Sequence, residues 1–104
     1  MTDSERLPDD TGTIPVVVTT EHRGVFFGTI QAAHRDRLTL DLADAQMCVY
    51  WAESVRGVMG LAVTGPDDRC KVSRPVPSMT VHKVTAVMEA TQEAAAAWRT
   101  RPWS

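Results

Sequence analysis

The chain has 104 residues, 43% hydrophobic and 23% charged, which is the composition of one ordinary globular domain. The formal net charge of −2 argues against a main role in binding nucleic acid, because that role rewards a strongly positive surface. No apolar run approaches the roughly 20 residues that span a bilayer, and the polar N-terminus does not resemble a signal peptide, so we expect a cytoplasmic protein without membrane contact.

Residues 1–13 are predicted to form a flexible acidic tail. They hold four acidic residues against one arginine, include Pro8 and Gly12, and show no apolar period. Two interpretations stay open, an unstructured extension and an arm that becomes ordered on a neighbouring subunit. Residues 14–104 are expected to form a single α+β domain.

The first half of this domain predicts four antiparallel strands joined by short turns. The β-branched residues 14–20 predict the first strand and residues 25–32 the second, in which Gly28 indicates a β-bulge or a close backbone approach. Residues 38–42 alternate between leucine and polar side chains, as in a half-buried strand.

A turn is expected at Asp44-Ala45, before a short strand of residues 47–51 that is apolar on both sides. An antiparallel meander of this kind curls into a small barrel-like or strongly twisted sheet.

The second half predicts a central helix and a short C-terminal helix. Residues 54–64 show helical apolar spacing and are followed by a stop at Gly65-Pro66. Residues 69–75 are compatible with a short edge strand, and the Val/Thr density of residues 79–89 favours a strand over a helix. Thr91 is the predicted N-cap of the last helix.

No residue pattern predicts catalysis, a cofactor or a metal site. The histidines lack ligand spacing, and no nucleophile elbow or phosphate-binding loop is present. Cys48 is expected to be an inert thiol in an apolar strand, and whether it pairs with Cys70 stays open. We therefore expect a non-enzymatic protein with no cofactor, no metal and no small-molecule substrate.

Aromatic side chains are the most distinctive local feature. Tyr50 and Trp51 are neighbours in a strand, so their rings are predicted on opposite faces, in the core on both sides or at an interface. The aromatic content exceeds what we expect a domain of this size to bury. The resulting interface candidates are Phe27, Tyr50, Trp51, Trp98 and Trp103.

Several short segments recur in a familiar order and spacing. They are Val16-Val17-Val18, Gly24-Val25-Phe26-Phe27-Gly28-Thr29, Val49-Tyr50-Trp51, residues 58–62 with Gly65, Arg69-Cys70-Lys71, and residues 91–94 followed by Pro102-Trp103. Together they resemble an uncharacterised family of small phage and prophage proteins, a domain of unknown function. The resemblance implies a phage-encoded protein made in the bacterial host cytoplasm, and it brings no activity and no catalytic residue. The acidic tail is an addition to the family pattern.

The leading expectation is a homo-oligomer with closed symmetry, built as a ring or a shell-like assembly. One alternative is a monomeric module that binds a host protein during infection. Another is a weak nucleic-acid binder in which basic side chains converge on one face, namely Arg35, Arg37, Arg69, Lys71, Arg74 and Lys83.

Overall fold

The computed structural model describes residues 12–21, 24–50, 57–66 and 70–100, with Tyr50 described by its backbone alone. The strands are β1 (Thr13–Thr20), β2 (Val25–Gln31), β3 (Leu40–Tyr50), β4 (Lys71–Val72), β5 (Val76–Val81) and β6 (Val84–Glu89). The helices are α1 (Gly57–Val63) and α2 (Gln92–Thr100), and one 3-10 turn covers Ala32–His34. The predicted α+β class is confirmed.

The six strands form one antiparallel sheet. β1, β2 and β3 are consecutive neighbours, as the predicted meander requires. β6 pairs with the other side of β1, while β4 and β5 follow one another along the outer side of β3. The sheet is strongly twisted and does not close into a barrel.

β3 corrects the prediction of two strands separated by a turn. Thr29 of β2 pairs with Ala43, but Phe27 pairs with Gln46, so β3 holds one more residue than β2 in this interval. Asp44 takes a left-handed conformation there, with φ of 49°. The feature is a β-bulge in one continuous strand, because the pairing with β5 continues past it without a shift.

Gly28 lies opposite this bulge, which confirms its predicted role. A Cβ atom added at Gly28 would lie 2.8 Å from the Cβ of Leu42 and 3.1 Å from the carbonyl oxygen of Ala43. The bulged strand can approach β2 this closely because position 28 has no side chain.

The chain between positions 76 and 89 forms two strands joined by a tight turn at His82 and Lys83. Its strand character confirms the preference for strand over helix. Pro77 lies inside β5. A proline is tolerated there because β5 pairs, within the described sheet, with β3 alone.

The end of α1 and the start of α2 lie at the expected residues. The described part of the predicted central helix is α1, and residues 54–56 lie outside the described residues. Gly65 ends α1 with φ of 81°, and its N–H donates to the Gly60 carbonyl at 3.1 Å. Thr91 caps α2 as predicted, because its Oγ1 accepts a hydrogen bond from the Ala94 N–H at 3.0 Å.

The sheet buries apolar side chains on both faces. We define the helix-side cluster as the core between the helices and the sheet, with Val17, Phe27, Cys48, Leu61 and Trp98 among its members. The opposite-face cluster contains Val16, Val18, Ile30, Leu40, Leu42, Val81 and Val84 among others. Successive residues of β1 thus contribute to different clusters, because side chains alternate along a strand.

Candidate interaction site

Phe27 and Trp98 lie in the core and not on the surface. Their rings stack with centroids 5.1 Å apart and an interplanar angle of 8°, and neither side chain is exposed. The indole N–H of Trp98 donates to the Leu61 carbonyl at 3.1 Å. This placement corrects the expectation that the two residues lie at an interface: each ring buries the other between β2 and α2.

The other aromatic candidates lie outside what the structure describes. For Tyr50 the side chain is not described, and Trp51 and Trp103 belong to segments outside the described residues. Their assignment as interface residues stays a prediction.

Aliphatic side chains, in contrast, form an exposed group at one end of the sheet. We define the apolar patch as Phe26, Met47, Val49 and Val76. Met47 pairs directly with the half-buried Phe26, and Val76 pairs with Ala45, two residues before Met47 on the same face of β3. Val49 is 65% exposed and Met47 is 39% exposed, while Cys48 between them is buried.

The sequence indicated that this strand is apolar on both sides, but the predicted interface residues were its aromatic ones alone. Met47 and Val49 flank Cys48 in the sequence, and this alternation of apolar residues could have predicted the patch. A strand that is apolar on both faces needs cover on both, and the described chain supplies it only on the helix side at this position.

A second exposed apolar surface lies on α1. Met59, which is 69% exposed, and Val63 are four residues apart on the outer side of this helix. The pair is smaller than the apolar patch and lies away from the opposite-face cluster.

A shallow groove of about 190 Å³ lies beside β6. One wall is the loop of residues 35–38, in which Leu38 is 72% exposed, and the other wall is the strand segment of residues 84–87. At the neighbouring turn, the Lys83 ammonium lies 3.5 Å from the Glu21 carboxylate.

The basic side chains expected to converge do not do so. Arg35, Arg37 and Lys83 lie near Leu38, just before β3 begins, whereas Lys71 pairs with Tyr50 at the far end of that strand. Arg74 lies between β4 and β5, and Arg69 is outside the described residues. A single basic face is therefore not formed by the described members.

The potential ligand side chains are dispersed as well. Cys48 and Cys70 are both thiols in the helix-side cluster. His34 is half-buried, and the exposed His82 has its Nδ1 3.5 Å from the Thr39 hydroxyl. Within the described ranges, no three His, Cys, Asp or Glu side chains lie together as metal ligands would. His22 is not among these residues.

The described architecture defines an α+β protein whose twisted antiparallel sheet carries two helices on one face. The chain belongs to the family described as Domain of unknown function (DUF6948), whose model matches residues 13–98. The match begins at the first residue of β1 and ends at Trp98, so the acidic residues 1–12 precede it.

No curated protein and no solved structure shows significant similarity to the chain. Of the helices that the structure describes, none has the length and apolarity needed to cross a membrane.

Proposed function

We propose that this chain is a non-enzymatic protein that associates with copies of itself into a symmetric ring or shell-like assembly. The observation that carries the proposal is the apolar patch, where Val49 and Met47 remain exposed on a face of the sheet that is elsewhere buried.

The apolar patch is continuous with the opposite-face cluster of the core. Phe26 packs against the opposite-face cluster, and Met47 beside it continues the same row towards solvent. Removing apolar surface from water contributes about 25 cal/mol per Å², so the exposed row favours contact with another apolar surface.

A second copy is the occupant that the chemistry favours. The four side chains of the patch carry no charge, so two patches can face one another without like-charge repulsion. A contact in which the same patch is used on both subunits closes a twofold dimer, the commonest form of homo-association, and a ring or shell is built from such dimers through a second, head-to-tail contact.

The aromatic surplus no longer supports this proposal for the rings that are described. Phe27 and Trp98 are fully buried within one copy. Aliphatic side chains of β3 and β5, together with the half-buried Phe26, are therefore the surface proposed for self-association.

We also propose that the protein is phage-encoded and acts in the bacterial cytoplasm. The support is the resemblance of its short sequence segments, in their sequence and spacing, to small phage and prophage proteins. A gene position among phage genes is the expected result of examining its genomic surroundings, and a position among unrelated chromosomal genes in all members of the family would contradict the origin.

Solution mass tests self-association directly. Light scattering coupled to size-exclusion chromatography at micromolar concentration is expected to give a multiple of the 11.4 kDa chain mass. Val49→Lys places a charge in the patch and is expected to shift the mass to that of one chain. Met59→Lys introduces the same charge on α1 and is the matched control, expected to leave the mass unchanged.

A wild-type monomer at this concentration would contradict self-association and leave binding to a host protein as the alternative. An assembly that survives Val49→Lys but dissolves with Met59→Lys would place the contact on α1 and contradict the role of the patch.

A further inference from the structure

The groove beside β6 exposes an unpaired strand edge. β6 pairs with β1, and in the described part of the chain no strand pairs with its other side. The loop reaches this region once, where the Val84 N–H donates to the Leu38 carbonyl at 2.9 Å. Strand edges of this kind add further strands readily unless something covers them.

The register identifies which backbone groups face the groove. The Ala90 N–H donates to the Pro15 carbonyl, so alternation directs the N–H groups of Met88 and Ala86 towards β1 as well. The N–H group of Val87 therefore points away from β1, on the side where this residue lines the groove. An extended segment placed there would accept this hydrogen bond.

The side chains of the groove suit an acidic segment. Among the lining residues, Arg35 and Arg37 outnumber Asp36, which leaves one positive charge in excess. Leu38 provides an exposed apolar contact beside them. Residues 1–11 hold Asp3, Glu5, Asp9 and Asp10 against Arg6 and include Leu7, so they complement both features.

The acidic segment also joins the fold next to the groove. The Gly12 carbonyl accepts a hydrogen bond from the Ala32 N–H at 2.8 Å, and the Arg35 Nε donates to the Ala32 carbonyl at 3.0 Å. The chain therefore enters β1 beside the base of the loop that forms one wall. Eleven extended residues span up to roughly 36 Å, which is ample for reaching β6 from this point.

We propose that residues 1–11 of the same copy lie in this groove and cover the outer edge of β6. The segment accepts a hydrogen bond from the Val87 N–H group, its carboxylates face Arg35 and Arg37, and its tether keeps its local concentration high. The covered edge is then closed to strands of other chains. This proposal is independent of the apolar patch on β3.

Amide hydrogen exchange of the full-length chain, followed residue by residue by NMR, tests the docking. The N–H group of Val87 is expected to be protected in the wild type. Replacing the four acids by their amides (Asp3→Asn, Glu5→Gln, Asp9→Asn and Asp10→Asn) is expected to speed its exchange roughly tenfold or more. Arg37→Glu in the groove is expected to have the same effect.

The amides of Ala86 and Met88 serve as internal controls, because they bond to β1 and should keep their protection in every variant. Exchange of the Val87 amide at the rate of an open amide in the wild type, or unchanged protection in the variants, would overturn the proposal. Protection that disappears on tenfold dilution would assign the edge to a second copy and would also overturn it.

Discussion

Gln46 is the one polar side chain that the described core buries completely. Its Nε2 group donates to the Ser73 carbonyl at 3.1 Å and to the Trp98 carbonyl at 3.0 Å. These two bonds join the middle of β3 to the chain after β4 and to the last turn of α2. The Oε1 atom has no hydrogen-bond partner, so the amide acts here as a donor alone.

Gln46→Glu is expected to make stability depend on pH. Burial and two facing carbonyls disfavour the carboxylate, so the pKa of the introduced carboxyl is higher in the folded chain than its unfolded value of about 4.3. The folded state then holds the proton more tightly. The stability of the variant relative to wild type is greatest below pH about 4 and falls as pH rises, by at most about 1.4 kcal/mol per pH unit.

Urea denaturation from pH 4 to 7 measures this loss. Gln92→Glu is the matched control, because its side chain is exposed at the first residue of α2 and a carboxylate there interacts favourably with the helix dipole. Parallel stability profiles for Gln46→Glu and wild type would show that position 46 is open to water and would contradict the burial argument.

Residue roles were predictable from the sequence where local backbone chemistry sets them. The role of Thr91 depends on its own helix end, and Gly28 indicates its role by being a glycine inside a strand pattern; both roles are confirmed. Gln46 was not predictable, because its partners lie 27 and 52 positions away along the chain. The burial of Phe27 was missed for the same reason: its stacking partner Trp98 is supplied by α2.

At the scale of elements, Thr91 connects the two helices. Its hydroxyl donates to the Val63 carbonyl at 2.6 Å while accepting from the Ala94 N–H, and its own N–H donates to the Ala62 carbonyl at 2.9 Å. Thr91 thereby provides hydrogen-bond partners for two carbonyl groups at the end of α1 and for one N–H group at the start of α2. Gly65 lets the helices meet closely there, since an added Cβ would lie 2.6 Å from the Ala97 Cβ.

Thr91→Ala is expected to lower the free energy of unfolding by about 1–2 kcal/mol, because it removes an N-cap and a second hydrogen bond. Thr91→Ser keeps the hydroxyl and should restore most of this loss. Thermal unfolding followed by circular dichroism measures both. Thr100→Ala removes a threonine hydroxyl at the exposed C-terminal end of α2 and should change stability by less than about 0.5 kcal/mol; equal losses at the two positions would contradict a linking role for Thr91.

Element types were more predictable than element limits. Period-two alternation and β-branched residues identified strands correctly in the sheet, Gly65 located the end of α1, and Thr91 located the start of α2. The bulge at Asp44 was predicted as a turn. An aspartate that tolerates the left-handed region suits a turn and a bulge equally, so the local sequence does not distinguish them. What makes β3 continuous is its pairing with β5, which is distant in sequence and leaves no local pattern.

At the scale of the whole molecule, the sheet is one layer shared by two cores. The sequence predicted strands that are apolar on both faces and hence a second surface to cover. The structure shows that helices cover one face and that β3, β5 and β6 curl over much of the other. The α+β class was therefore predictable. How much of its apolar surface a single copy covers was not, because that depends on how the strands curl.

The shared sheet predicts that both cores unfold in one transition. Val17 packs in the helix-side cluster while Val16 and Val18 pack in the opposite-face cluster, so neither core can be lost without moving β1. Leu61→Ala and Leu42→Ala remove buried side chains from different clusters and should each cost about 2–5 kcal/mol.

Calorimetry at fixed protein concentration is expected to show one peak for wild type and for each variant, with both variants lowering the midpoint of the entire transition. The single transition follows from the alternation of side chains along β1. Because consecutive residues of this strand pack in opposite clusters, neither cluster can stay folded when the other unfolds. Two separate peaks in which Leu61→Ala moves one and Leu42→Ala moves the other would show that the helices fold onto an independently stable sheet.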